Sequence, residues 1–340
     1  MRTRGSMLCF SALLLCAACQ HTAKVKFPVT EQVTVHLLDS SMMMGSPMDM
    51  ARYQDFLLIS DYQGDSLIWV YDMNKRRCVQ RLAPVGEGPH HFTSPLQMIV
   101  DDSRLILHNR WRFTYQPYEM SVRADTIHLQ PIGSLVRMWP TVDRLCAIKD
   151  NRLVAVGPTE ERYQILNDQG QVIDSIGEYP SFIRGESGLP ATARYIAHQT
   201  SMTYNRRDNL LASISPHVLE IIDCNGDRPV VKKTILLSMY GYSPDISETG
   251  TSVNSEVGTE SGAVRISSTD EYIYLVYDPN LIGGEPSLKL EIWVFDWEGN
   301  PVKKIQTDRD TPCIYVADDN RTVYCTVKAL DPVLATFSLF

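Results

Sequence analysis

Several features that mark common classes of protein are missing from this 340-residue sequence. It has no block of Lys and Arg, and 32 basic against 40 acidic residues give a net charge of −8. Nucleic acid is therefore not an expected partner, because binding to the phosphate backbone needs clustered positive charge. No stretch beyond the N-terminus reaches 18 apolar residues, so no membrane-spanning helix is predicted for the body of the chain.

Familiar motifs of catalysis are also missing. The sequence has no Gly-x-Ser-x-Gly nucleophile turn, no Gly-x-x-x-x-Gly-Lys-Ser/Thr phosphate loop and no His-Glu-x-x-His zinc helix. We therefore assign no catalytic residue, no metal and no cofactor from the sequence. An enzyme is not thereby excluded, since its active-site residues could be scattered along the chain.

Cysteine usage does not indicate a metal site either. Beyond residue 19 the cysteines show no zinc-binding spacing; they are Cys78, Cys146, Cys224, Cys313 and Cys325. We interpret most of them as small core residues. Cys313 and Cys325 flank a predicted tight turn, and a disulfide bond between them is one possibility.

The N-terminus has the pattern of a bacterial lipoprotein signal. Arg2 and Arg4 precede an apolar run over residues 7–18, which is too short to span a bilayer and is typical of a secretory signal. The run ends in Cys-Ala-Ala-Cys at residues 16–19, which resembles a lipobox, with Cys19 as the lipidated residue. The alternative is a secreted protein that is cut near residue 18.

This pattern predicts a signal peptide over residues 1–18, a lipidated tether over residues 19–29 and one folded domain over residues 30–340. Attached acyl chains would hold the mature protein on a membrane. We therefore expect a lipid-anchored protein of the bacterial cell envelope, either periplasmic or exposed at the surface.

The rest of the sequence is a sixfold repeat. Short apolar strands recur at intervals of about 49, 48, 57, 63 and 50 residues, at positions 56–59, 105–107, 153–156, 210–212, 273–276 and 323–325. Strands that end in an acidic residue and turns such as Asp168-Gln169-Gly170 follow them. Periods of this length with hairpin turns indicate an all-β fold made of propeller blades.

The two chain ends predict how the ring closes. The last repeat supplies only three strands, at residues 313–317, 323–328 and 333–339, whereas an unpaired strand occurs at residues 33–38. A closed ring leaves no strand edge exposed, so the N-terminal strand should complete the last blade. The prediction is a six-bladed β-propeller.

Short motifs add a family resemblance. Residues 85–92, Val-Gly-Glu-Gly-Pro-His-His-Phe, followed by Ser94-Pro95, resemble the Gly-x-Gly-Pro-Gly-Glu-Phe loop of TolB-like six-bladed propeller lipoproteins of Gram-negative bacteria. Residues 293–300 and 323–325 resemble late blades of that family. The resemblance implies a six-bladed propeller in the cell envelope and supplies no agreed reaction. His90 and His91 depart from the family's Gly-Glu.

Propeller topology predicts which loops converge. Connections between blades and between the second and third strands of each blade should share one face. The two longest, residues 178–195 and 239–262, fall there. Loops of this length are commonly functional. The Ser- and Thr-rich segment 243–261 could form a mobile cap or a solvated insertion without a role.

Several residues on this face are candidate ligand contacts. Arg110, Trp111 and Arg112 combine guanidinium groups, which bind carboxylate or phosphate, with a ring that stacks on sugars or peptides. Alternatively, Trp111 packs between blades. His90 and His91 could contribute to this face, bind a metal or simply shape their loop.

Other candidates should face the central channel from the innermost strands. The polar residues expected there are Asp49, Gln97, Arg144, His198 and Arg265. A buried arginine needs a partner, so Arg265 could contact an anion in the channel. His198 is either a hydrogen-bonded residue of the channel wall or a general base.

The sequence favours a binding or scaffolding module that presents its loop-rich face to a protein, peptide or glycan. A rigid disc with varied loops and no catalytic motif fits that role. The alternative is a propeller enzyme, a lactonase-like hydrolase or lyase, with its site at the mouth of the channel.

Overall fold

The fold is a closed six-bladed β-propeller. A computed structural model describes residues 25–88, 90–138 and 142–339. The predicted signal peptide and Cys19 lie outside these residues. Within the described residues no helix is long and apolar enough to cross a membrane.

The chain enters the propeller through two strands, where the sequence predicts one over residues 33–38. They are β1 (Thr30–Val33) and β2 (His36–Asp39). β1 joins the fifth blade and β2 joins the sixth, so the single predicted strand is wrong in this detail. The change of blade occurs at Val35, whose backbone amide donates to Asp308 Oδ1 at 2.8 Å.

The first three blades each contain four antiparallel strands. Blade 1 consists of β3 (Pro47–Tyr53), β4 (Phe56–Asp61), β5 (Ser66–Asp72) and β6 (Arg77–Pro84). Blade 2 consists of β7 (Leu96–Asp101), β8 (Arg104–Asn109), β9 (Thr114–Arg123) and β10 (Thr126–Pro131), with the short β11 (Val136–Arg137) also paired to β9. Blade 3 consists of β12 (Arg144–Ala147), β13 (Leu153–Val156), β14 (Tyr163–Leu166) and β15 (Val172–Ile176).

A short 3₁₀ helix (Glu186–Gly188) and α1 (Ala191–Ala197) connect blade 3 to blade 4. Blade 4 consists of β16 (Ser201–Asn205), β17 (Leu210–Ser215), β18 (Val218–Asp223) and β19 (Val230–Leu236). The hairpin of β20 (Tyr242–Ser247) and β21 (Gly250–Ser255) follows. Blade 5 consists of β22 (Glu260–Ser268), β23 (Tyr272–Leu281), β24 (Glu291–Asp296) and β25 (Pro301–Thr307).

Blade 6 closes the ring. It consists of β26 (Cys313–Val316), β27 (Thr322–Val327), β28 (Val333–Ser338) and, as its outermost strand, β2 from the N-terminus. His36 pairs with Thr336, and Val35 and Phe337 lie in one buried cluster. The predicted closure of the ring by opposite chain ends is confirmed.

The repeated apolar strands form the core between blades. The second strand of blade 1, β4, and that of blade 4, β17, are buried along their whole length. Burying a large aliphatic or aromatic side chain contributes about 1.5–3 kcal/mol, so these strands hold the disc together. The blades thus form a rigid base for their loops.

Turn residues repeat along with the strands. In five of the six blades the turn between the first two strands contains a residue with φ near 50°, one or two positions before the second strand: Gln54, Asp102, Asn151, Asn209 and Asn320. Asn and Asp tolerate this conformation better than most residues. These turns define what we call the turn face of the disc. The connections between blades lie on the opposite, loop-rich face.

The disulfide considered as a possibility between Cys313 and Cys325 does not form. Cys313 and Cys325 are both free and buried. Cys313 pairs with Thr326 across β26 and β27, while Cys325 pairs with Ile314. Because side chains alternate along a strand, the two thiols point to opposite faces of the sheet and cannot bond.

Candidate functional site

Two insertions on the loop-rich face pack together. We call residues 178–200 and 239–259 the cap. Phe182 and Ala197 from the first insertion share a buried cluster with Tyr240, Tyr242 and Val253 from the second. The longest connections therefore converge, as expected, and the hairpin of the second packs against α1.

A buried ion pair lies where the cap meets blades 3 and 4. Arg162 Nε contacts Glu220 Oε2 at 2.8 Å, and their side chains are only 1% and 4% exposed. Tyr163 donates its hydroxyl to the same carboxylate at 2.6 Å. Burial also raises the pKa of Tyr163, so this hydroxyl keeps its proton. Glu220 and Tyr163 belong to no local sequence motif, so only the packing of blades 3 and 4 reveals their role.

His198 belongs to the cap rather than to the wall of the channel. It ends α1 instead of lying on an inner strand, and its Nε2 donates to Glu186 Oε1 at 2.7 Å. Burial opposes ionisation of Glu186, but hydrogen bonds from His198 and from two backbone amides hold the pKa of this carboxyl below its usual value. Burial lowers the pKa of His198. Its ring stacks on Phe182 at 5.6 Å.

His217, in the turn between β17 and β18, contacts Tyr240 of the cap. Their rings stack with centroids 4.2 Å apart, and His217 Nδ1 lies 2.7 Å from Ser238 Oγ. Burial lowers the pKa of His217 to about 4, with His198 as a smaller contribution. A neutral imidazole is therefore the packed form at neutral pH.

The loop after β8 displays an exposed tryptophan. Trp111 is 71% exposed and does not pack between blades. On one side, Arg110 Nε donates to Asp143 Oδ1 at 2.9 Å. On the other, Arg112 Nη2 contacts Glu87 Oε2 at 3.1 Å. The largely buried Arg110–Asp143 pair thus anchors one side of the loop, while the Arg112–Glu87 pair on the other side is exposed to solvent.

Asp143 connects this loop to the cap. It accepts a hydrogen bond from the Tyr195 hydroxyl of α1 as well as the one from Arg110. Both side chains of the Arg110–Asp143 pair are largely buried, so the pair is less screened by solvent than an exposed one. The loop and the cap therefore share one anchoring carboxylate.

The residue pair His90 and His91 lies on the connection between blades 1 and 2, and both residues are exposed. The His91 ring covers two glycines: a Cβ on Gly88 would lie 2.3 Å from His91 Nδ1, and one on Gly86 would lie 2.8 Å from His91 Cδ2. The Gly-x-Gly spacing therefore lets the loop fold under this ring. Among the described residues no three His, Cys, Asp or Glu side chains are grouped to hold a metal.

The central channel has a volume of about 620 Å³. Asp49, Gln97 and Arg144 line it, as expected. Gln97 bridges blades 2 and 3, because its amide group bonds both the backbone N–H and the C=O of Leu145, at 2.9 and 2.8 Å. Its hydrogen-bonding capacity is therefore largely used within the fold.

Two arginines cross the channel near the loop-rich face. Arg265 of blade 5 donates from Nε to the backbone oxygen of Met48 in blade 1 at 3.0 Å. Arg144 of blade 3 also reaches blade 1, where its Nη1 lies 3.3 Å from the Tyr62 hydroxyl and 3.9 Å from Asp49 Oδ2. Arg265 therefore has a backbone partner, as the cost of burying an arginine requires.

Another ion pair crosses the channel at the turn face. Arg206 of blade 4 binds both Asp101 and Asp102 of blade 2, and so spans blade 3. Arg52 lies 3.7 Å from Asp318 at the same end. The lining of the channel continues to these exposed turns, so the mouth on the turn face is charged.

Comparison with known proteins agrees with this architecture. A crystal structure of a Bacteroides fragilis NCTC 9343 protein described as exported is similar at a TM-score of 0.57 and 9% identity, covering 92% of this chain and 99% of that one. A crystal structure of a duf4221 family member from Bacteroides vulgatus ATCC 8482 is similar at 0.55 and 12% identity, covering 92% and 97%. At these identities the likeness shows the fold alone.

No curated protein matches the chain. A family model does match, and its description is "TolB-like 6-blade propeller-like". The match extends over residues 25–319 and so covers most of the propeller, including the cap and the Trp111 loop. The chain belongs to this family of TolB-like six-bladed propellers.

Proposed function

We propose that this protein is a lipid-anchored binding or scaffolding module of the cell envelope whose loop-rich face binds a protein, peptide or glycan. The observation that carries the proposal is that Trp111 is 71% exposed on a loop that the Arg110–Asp143 ion pair anchors. An exposed ring of this size is a stacking surface for a sugar or an anchor for a peptide.

The rigidity of the surroundings supports this role. A loop that is already ordered loses less conformational entropy when a ligand binds. Arg110 ties the Trp111 loop to Asp143, and Tyr195 ties the cap to the same carboxylate. The guanidinium of Arg112 lies on an exposed surface, beside Glu87, where it can contact a polar ligand.

The envelope location and the lipid anchor are supported by the N-terminal sequence. The short apolar run ending in Cys-Ala-Ala-Cys fits a lipoprotein signal with Cys19 as the modified residue. Membership of the TolB-like family and the likeness to a protein described as exported are consistent with that location.

Binding is tested with glycan and peptide arrays probed with the purified protein. Trp111→Ala should weaken any signal about tenfold or more, because a buried aromatic anchor contributes at least about 1.4 kcal/mol. Val230→Ala is the control, since Val230 is 61% exposed at the start of β19, beside the turn face. Full binding by the Trp111 variant, or no bound ligand at all, would contradict this site.

The anchor is tested separately in a Gram-negative host. Metabolic labelling with a fatty-acid probe should mark the wild-type chain and not Cys19→Ser, and the variant should leave the membrane fraction. An unlabelled wild-type protein would contradict the lipid anchor and leave the binding face open to its own test.

A further inference from the structure

We propose that the propeller is held with its turn face toward the membrane and its loop-rich face pointing away from it. This rests on the proposed lipid anchor at Cys19. A lipid anchor alone does not determine how the disc is oriented relative to the membrane. The orientation depends on the face at which the chain leaves the disc.

The direction of β1 gives the exit point. β1 pairs in parallel with β25, from Thr30 opposite Lys304 to Val33 opposite Thr307. In blade 5, β25 begins after the turn at residues 297–300 and ends at the connection to blade 6, so it runs from the turn face to the loop-rich face. β1 runs the same way. The residues before Thr30 therefore lie toward the turn face.

Aromatic contacts fix these preceding residues on blade 5. The Phe27 ring packs edge-on against Trp293 at 5.1 Å and against Phe295 at 5.5 Å. The Val29 carbonyl accepts from the Lys304 amide at 2.9 Å. Phe27 and Val25 also join the cluster that contains Trp297, beside the turn. Part of the expected tether, from Val25 onward, is thus seated on the disc.

The remaining tether is short compared with the disc. Five residues, 20–24, separate Cys19 from Val25. Fully extended, six Cα–Cα steps span about 20 Å. The seven-residue β25 also contains six such steps and spans about 20 Å by itself, and the loops and the cap of the loop-rich face extend the disc beyond this length. The tether therefore cannot pass along the side of the disc and bring the loop-rich face to the bilayer.

This orientation has a consequence for partners. The Trp111 loop and the cap are presented to molecules that approach from the side away from the membrane. The charged channel mouth formed by Arg206, Asp101 and Asp102 faces the lipid headgroups instead. A ligand of the loop-rich face should therefore be soluble or belong to a structure opposite the anchoring membrane, and not to the anchoring bilayer itself.

The test places a fluorophore on either face of the same blade. Glu298→Cys labels the turn face and Glu285→Cys labels the loop-rich face; both residues are exposed in blade 5, and each change removes one negative charge. Arg123→Cys on the turn face of blade 2 reports whether the disc lies flat or stands on edge. Cys78→Ser is included in every variant, because the other four described thiols are buried.

The full-length lipidated protein is reconstituted in phosphatidylethanolamine–phosphatidylglycerol vesicles that carry a short-range quencher on the lipid headgroups. Quenching at position 298 should exceed that at position 285 about twofold or more, because the two faces differ in height by more than the tether length. Quenching at 123 should resemble that at 298.

Equal or greater quenching at 285 would overturn the orientation while leaving the anchor intact. Strong quenching at 298 with none at 123 would overturn the flat placement of the turn face. A chain that mass spectrometry shows to be unacylated would overturn the anchor and the orientation together.

Discussion

Arg162 and Glu220 form an ion pair between blades 3 and 4 in which both side chains are almost completely buried, with Nε and Oε2 2.8 Å apart. Arg162 Nη2 also lies 3.3 Å from Ser215 Oγ. The pair adjoins the cap, since the carboxylate also accepts from Tyr163 and the guanidinium lies over the Tyr179 ring.

Glu220→Gln should lower the free energy of unfolding by about 3–5 kcal/mol, because it leaves the Arg162 charge buried without its partner. Urea denaturation monitored by tryptophan fluorescence measures the change. The double variant Arg162→Met, Glu220→Leu should lose less than Glu220→Gln, since it removes both charges. A loss below about 1 kcal/mol for Glu220→Gln would show that the pair is not essential to stability.

Closure of the ring can be tested at Phe337. This side chain is 1% exposed in the cluster that joins the two chain ends. Phe337→Ala should destabilise the protein by about 3–5 kcal/mol through lost burial and a cavity. Leu330→Ala is the control, since Leu330 is 99% exposed and should change stability by less than about 0.5 kcal/mol. Equal effects of the two substitutions would contradict the observed packing of blade 6.

Stability should fall as the pH is lowered, and His217 should account for part of the loss. Its folded pKa is about 4, below the ordinary value of 6.5, so between these values the unfolded chain binds a proton that the folded chain does not. The contribution of neutral His217 to the free energy of unfolding is fully present above about pH 6.5. It declines as the pH falls toward 4, by on the order of 3 kcal/mol.

His217→Phe keeps a ring against Tyr240 and removes the titrating group. Denaturant unfolding at a series of pH values should show a weaker dependence for this variant than for the wild type. A residual dependence is expected, because burial also lowers the pKa of His108, to about 3, and that of His198. An unchanged pH profile would mean that His217 is not buried in its neutral form.

Four thiols should be protected by the fold. Cys146, Cys224, Cys313 and Cys325 are free and buried, and burial raises the pKa of each. They should react with iodoacetamide only after denaturation, because the thiolate is the reactive form and the reagent cannot reach it. Peptide mapping resolves each residue, and the half-buried Cys78 should react first. A Cys313–Cys325 disulfide found by mapping would contradict the observed register.

Local patterns were sufficient to predict the propeller. The recurrence of apolar strands, the turn residues and the missing fourth strand in the last repeat together indicate six blades closed by the N-terminus. The split of the predicted N-terminal strand could not be read from sequence. Polar and apolar residues alternate along residues 30–39 in the same way whether these residues pair with blade 5 or with blade 6. The change of blade occurs at Val35, where the backbone amide donates to the Asp308 carboxylate.

The candidate site was only partly predictable. Residues 110–112 stood out as an unusual loop, but the pairing of Arg110 with Asp143 depends on the connection between blades 2 and 3. The buried ion pair of Arg162 could not be predicted, because nothing local to residues 160–162 reveals the carboxylate of Glu220 on the next blade. The position of His198 at the end of α1 could not be predicted, because no local pattern over residues 191–197 indicates a helix.

The sequence by itself determined the period of the repeat and the alternation of buried and exposed positions, since each depends on neighbouring residues. The tertiary structure alone decided which charges meet and which face the chain leaves. Those relationships join residues far apart in sequence, and their energies depend on burial that exists only after the blades have closed.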